Sequence, residues 1–222
     1  MKGWLMMKYR TFITAAVLCI MACCSVYAAE TDKVYITGEV KDGVYTNRAI
    51  GAEIYLDDSW RILSMKEIAA LNSAALKSIE NLSSPTLEEL TNGDLPVLYA
   101  VTEDFADSIN ITITNIGAGV GDFLADPDSR AILDEMMEDM AKNMREANSA
   151  MGVNSTVNTI RVNFAGAERA GLSVKTMVTE TRPMYQKQIM CFKGEYLFQV
   201  TVNSKNRDIT DELLAMFRKI DE

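Results

Sequence analysis

The chain has 222 residues, 22 basic and 31 acidic side chains and no histidine, for a formal net charge of −9. The missing imidazole excludes Ser-His-Asp and Cys-His catalysis and histidine-ligated zinc, leaving carboxylates, lysine or tyrosine for any chemistry. The acidity repels phosphate backbones and anionic headgroups, so no nucleic-acid partner is predicted.

In chain order, Lys2, Lys8 and Arg10 give a basic start, Phe12 to Cys24 is almost wholly apolar, and Ser25 to Ala29 is small or branched. This is the layout of a secretory signal. Its apolar stretch of thirteen residues is shorter than the roughly 20 a membrane-spanning helix needs. Two endings are open. A cut after Ala28 suits signal peptidase and defines residues 1–28 as the signal peptide. Alternatively, Ile20-Met21-Ala22-Cys23 is similar to a lipobox, in which Cys23 is acylated and anchors the protein to a membrane surface. Either way the expected location is extracytoplasmic, secreted or held on the outer face of the cell membrane. Loss of the three basic leader residues leaves 19 basic against 31 acidic side chains. Outside the leader region only Cys191 remains, so no internal disulfide is predicted and stability must come from a core.

Residues 29–42 read as a polar lead-in, with a strand at Val34-Tyr35-Ile36, and residues 43–222 as a single domain. Tyr45 to Asn47 and Ile50 to Leu56 form a predicted hairpin, the second arm alternating with the period of two of a half-buried strand. Trp60 is expected to fold back onto the core. Ser64 and Glu67 form a capping box at the head of a helix over Met65 to Ile79. Ser84-Pro85 opens a second helix through Leu90. Strands follow at Val97 to Thr102 and Ser108 to Asn115, the latter with Ile109, Ile111 and Ile113 on one face. A glycine-rich loop, Gly117 to Gly121, leads to a long helix over Pro127 to Met151. Four strands come next, at Thr156 to Phe164, Gly171 to Thr179, Pro183 to Lys193 and Glu195 to Asn203, with Gly194 at a tight turn. An amphipathic helix from Asp208, carrying Ile209, Leu213, Leu214, Phe217 and Ile220 on one side, ends the chain. The fold class is therefore α+β, a central antiparallel sheet with helices on both faces.

Gly43-Val44-Tyr45-Thr46-Asn47, the hairpin that ends near Trp60, Phe164-Ala165-Gly166, Tyr185-Gln186 and Tyr196 to Thr201 resemble PsbP-like domains. The resemblance covers most of the chain after the leader and implies an α/β/α sandwich. That family includes a lumenal subunit of photosystem II, a Ran-binding nuclear protein and exported bacterial lipoproteins without assigned activity. Its members act chiefly by binding other proteins, and it implies no catalytic residue and no cofactor.

The candidate sites each have a plain structural reading. Gly117 to Gly121 follows a strand but has neither GxGxxG spacing nor a following Gly-Lys-Ser/Thr, so a loop is preferred to a phosphate site. Asp122, Asp126 and Asp128 are weak candidates for calcium, with Asp126 equally explained as a helix cap. Met136, Met140 and Met144 repeat every four residues, which suits copper(I) thioether ligation or a core-facing helix stripe, and the core is preferred. Cys191 sits in an apolar strand without a base, which predicts a buried inert thiol. Asn81, Asn110 and Asn154 begin glycosylation sequons, Asn110 in mid-strand, and a bacterial origin would make all three irrelevant. The expected function is non-enzymatic binding or scaffolding of another envelope or secreted protein. The alternatives are carriage of a small ligand or a metal (calcium or copper), and a hydrolase built on carboxylates.

Overall fold

The computed structural model describes residues 37–64, 67–68 and 94–220. Among them, eleven strands build two antiparallel sheets, with three α-helices. The strand predicted at Val34 to Ile36, most of the helix from Met65, the helix from Ser84, the leader and Asn81 lie outside the described residues.

The smaller sheet starts within the expected lead-in. β1 (Glu39–Lys41) turns through Asp42 and Gly43, both at positive φ, into β2 (Val44–Asn47). An Asp-Gly pair suits this two-residue turn because glycine reaches positive φ without strain and aspartate tolerates it. β3 (Ala52–Tyr55) completes the predicted hairpin, and the sheet order is β1-β2-β3-β11. β11 (Phe217–Lys219) lies where the terminal helix was expected to continue. The helix is in fact one short segment, α3 (Thr210–Ala215), after which Phe217 pairs with Ile54. The spacing of Leu213, Leu214 and Phe217 fits a helical stripe and a helix followed by a strand equally well, so periodicity alone does not separate them.

The larger sheet holds β4 (Trp60–Ile62), β5 (Asp94–Thr102), β6 (Asp107–Asn115), β7 (Ser155–Phe164), β8 (Ala167–Thr179), β9 (Arg182–Lys193) and β10 (Tyr196–Lys205), in the order β4-β5-β6-β10-β9-β8-β7. Its residues alternate between two cores. Ile109, Ile111, Ile189, Cys191, Phe198 and Val200 face the small sheet and α3, meeting Tyr45, Ile54, Leu213 and Phe217, with Trp60 packed at the margin as expected. Val157, Leu172, Val174, Met190 and Phe192 face the other way, onto α1 (Val120–Ala125) and α2 (Arg130–Ala150). The architecture is thus a sheet-dominated α+β fold. One face carries helices; the other carries chiefly the second sheet, where helices were expected.

On α2, Leu133, Met137, Met140 and Ala141 are buried, and Met136 and Met144 pack against the same cluster. The methionine stripe therefore fills core space between helix and sheet. A capping box stands at Ser64, whose backbone N–H donates to Glu67 Oε2 at 2.8 Å and whose Oγ accepts from the Glu67 N–H at 3.4 Å. No helix among the described residues is long and apolar enough to cross a membrane.

Candidate functional site: a cationic cleft at one end of the large sheet

Where β8 begins and β9 ends, the β2–β3 turn and α1 lean over the sheet from either side. Between them lies a cleft of about 580 Å³ lined by Arg48, Ile50, Asp122, Asp126, Arg169, Cys191, Phe192 and Lys193, among others.

The β2–β3 turn is shaped by a buried polar residue. Asn47 Oδ1 accepts from the N–H groups of Ala49 (3.0 Å) and Ile50 (3.3 Å), and its amide donates to the Tyr45 hydroxyl at 3.0 Å. That hydroxyl in turn donates to the Thr37 carbonyl at 2.9 Å. Burial pushes the Tyr45 phenol up to about 12, against which the Asn47 hydrogen bond works only partly. A buried amide satisfied from both ends fixes the turn, and Arg48 stands on its exposed outer side at the cleft rim.

The opposite wall explains the glycine-rich segment. The Gly121 N–H donates to the Gly194 carbonyl at 3.0 Å, and the Asp122 carboxylate accepts from the Gly194 N–H at 2.7 Å. A Cβ on Gly121 would stand 2.7 Å from the Gly194 oxygen, so only glycine lets α1 lie directly on the β9–β10 turn. Of the segment's glycines, Gly121 serves close backbone packing, while Gly117 and Gly119 take the positive φ that glycine reaches without strain.

The three aspartates take separate tasks. Asp122 holds the hairpin turn, while Asp126 caps the 3-10 turn at Pro127–Ser129 by accepting from the Asp128 N–H at 2.9 Å. Asp128 is exposed, and among the described residues no group of three carboxylates or thiols converges on a metal-sized space. Cys191 is buried, and desolvation pushes its thiol up to about 11 even though the Arg169 charge pulls the other way. A neutral thiol at that value is a poor nucleophile near neutral pH.

The residues that give the cleft its character are the three cations, none of which was singled out in the sequence. Among the described residues Arg48, Arg169 and Lys193 form no ion pair. Arg169 is half-buried, and its Nε–H is buried without an acceptor. The predicted strand began at Gly171, which left Arg169 outside it; in fact β8 starts at Ala167 and carries Arg169 inward.

No protein-family profile and no curated protein matches the chain. Solved structures do show some similarity. One is a crystal structure of a protein from Bacteroides thetaiotaomicron, with a TM-score of 0.37 and 9% identity over 78% of this chain. The chain spans 46% of that protein's length. Another is the solution structure of cyanobacterial PsbP (CyanoP) from Synechocystis, with a TM-score of 0.40 and 12% identity over 82% of this chain and 96% of the other. Neither is close enough in shape or sequence to define a family.

Proposed function

We propose that this is a non-enzymatic, extracytoplasmic protein of the PsbP-like type that works by binding another envelope or secreted protein. The leader supports export, and the hairpin motif at Gly43 to Asn47 with Trp60, together with Tyr196 to Thr201, supports the PsbP-like reading. Within the cleft, Cys191 is a neutral buried thiol, and Asp122 and Asp126 accept from backbone N–H groups, which favours a binding role over nucleophilic chemistry there.

The observation that carries protein binding is an exposed apolar end of the molecule. Met151 and Val178 are the most exposed large apolar side chains among the described residues, at 66% and 63%. They belong to one end of the fold, because the Met177 N–H donates to the Asn154 carbonyl at 2.9 Å, tying the β8–β9 turn to the segment after α2. Large apolar side chains left in water at one end of a fold suit a contact surface when they form a contiguous patch.

A photocrosslinking residue at position 178, in cells, tests this against the same residue at position 139 on the exposed side of α2. The reading expects one dominant protein adduct from 178 and none from 139. No adduct, or the same adducts from both positions, contradicts it. Intact mass of the native protein reports separately on the leader: a start after Ala28 or at acylated Cys23 supports export, and a start at Met1 opposes it. A second reading, carriage of a small ligand, is favoured by the unpaired cations of the cleft.

A further inference from the structure

We propose that the cleft between the β2–β3 turn and α1 is a carboxylate-binding site, with the guanidinium groups of Arg169 and Arg48 as its donors and Lys193 as an outer cation. This goes beyond the protein-binding reading and does not depend on it, since the apolar end at Met151 and Val178 involves none of the cleft residues.

Three observations converge. First, the chain is strongly acidic, at −9 overall, yet the cleft gathers three cations against two carboxylates. Acidic side chains are plentiful, and several cations elsewhere pair with them: Arg130 and Arg161 both reach Glu168, and Lys187 reaches Asp211 at 2.5 Å. Second, the two acidic residues of the cleft are turned to backbone donors, Asp122 to the Gly194 N–H and Asp126 to the Asp128 N–H. They shape the wall and form no ion pair with the cations, though their charge is still felt in the cleft. Third, Arg169 is half-buried with its Nε–H buried and unmatched. A buried donor without an acceptor is costly, and a guanidinium charge without a counter-charge adds to that cost. An incoming oxyanion relieves both, a small rotation of the guanidinium bringing Nε–H and Nη–H onto two oxygens of one group.

The chemistry selects a carboxylate over a phosphate. A guanidinium fork matches the two coplanar oxygens of a carboxylate. The lining carries one excess positive charge, which balances a monoanion, whereas a dianionic phosphate meets Asp122 and Asp126 at close range. The cleft, at about 580 Å³, is larger than a carboxylate alone and of ordinary size for a small-molecule site. The remainder of the ligand would therefore lie along Ile50 and Phe192 and the polar rim. A free organic acid and the C-terminal carboxylate of a polypeptide share this chemistry.

The test is heteronuclear NMR titration of the isotope-labelled protein at low salt, following the Arg169 Nε–H signal. The probes are butyrate, N-acetyl-glycylglycine as the free acid, the same peptide as its amide, and inorganic phosphate. The proposal expects a saturable downfield shift with at least one acid, none with the amide, and binding of phosphate at least about tenfold weaker. Butyrate binding the tighter identifies a free acid as the source; the peptide acid binding the tighter identifies a polypeptide terminus. Arg48→Gln, on an exposed turn, is expected to weaken the acid about tenfold without moving the melting temperature. Arg169→Lys keeps the charge, removes the fork and is expected to weaken it further. The proposal is overturned if neither acid gives a saturable shift up to about 10 mM, ten times the dissociation constant of a millimolar site. It is overturned equally if phosphate binds more tightly than both acids, or if Arg48→Gln leaves the affinity unchanged.

Discussion

Glu168 and Arg169 are consecutive residues of β8, and their electrostatic surroundings are opposite. Glu168 points toward α2 and is met by two guanidiniums, Arg130 at 2.9 Å and Arg161 at 3.2 Å, with Asp134 completing a four-member network through Arg161. Arg169 points to the other side of the sheet, beside Cys191, and has no partner among the described residues. The strand's alternation places the two on different faces, and of the two only Glu168 meets an ion-pair partner. The contrast separates two uses of charge. On the α2 face, ions pair at the surface and contribute modest stability. In the cleft, a cation is kept half-buried without internal compensation, which costs stability and is retained where a ligand supplies the counter-charge.

The largest effect expected from breaking this arrangement lies two residues further along the Arg169 face. A Cβ on Gly171 would overlap the carbonyl oxygen of Gln188 on β9. Gly171→Ala should therefore lower stability by about 3 kcal/mol, read by urea denaturation, because overpacked backbone has nowhere to move.

A pH effect comes next. The Cys191 thiol is held at about 11 against an ordinary 9, mainly by desolvation. Between these values the unfolded chain gives up a proton that the folded one keeps, so stability falls as pH rises through the window. Tyr45, held at about 12 against an ordinary 10, continues the fall at higher pH. In Cys191→Ala, denaturation midpoints measured across this range should begin to decline near 10 instead of 9. Arg169→Met should push the thiol higher still, since the guanidinium is the one influence lowering it.

The comparison itself is sharpened by substituting an arginine on each face. Arg161→Met removes contacts to Asp134 and Glu168 and should cost about 1 kcal/mol, the loss shrinking in high salt as surface pairs are screened. Arg169→Met should be neutral or stabilising by up to about 1 kcal/mol, since no partner is orphaned and a half-buried cation with a buried unmatched Nε–H is removed. Equal losses at the two sites would erase the distinction. The smallest effect concerns the β7–β8 turn, where Ala165 adopts φ 48 ahead of Gly166. Ala165→Gly should raise stability by about 0.5 kcal/mol in thermal melts, relieving a left-handed backbone that glycine tolerates.

Much of the frame is legible in the sequence because local pattern and burial agree. Ile109, Ile111 and Ile113 announce β6 by alternation, the methionines of α2 mark its core stripe, and Ser64 with Glu67 make the capping box the spacing implies. What pattern does not carry is pairing. Phe217 reads as the end of a helix until its partner Ile54 on β3 is known. The site is the extreme case. Arg48 comes from a turn of the small sheet, Arg169 from the start of β8 and Lys193 from the end of β9, so their meeting depends on the register of distant strands and on the docking of one sheet on another. The aspartates drew notice because they are close in sequence, yet Asp122 ties a hairpin and Asp126 caps a 3-10 turn, although both line the cleft.

The most direct test of the account is the Arg169 Nε–H resonance of the free protein at low salt, compared with that of Arg161. The account predicts an Arg169 signal protected from solvent exchange but at the chemical shift of a donor without an acceptor. A downfield signal with through-bond coupling to a carboxylate of the same chain would show that Arg169 already has its counter-charge, and the cleft would lose its claim to a ligand.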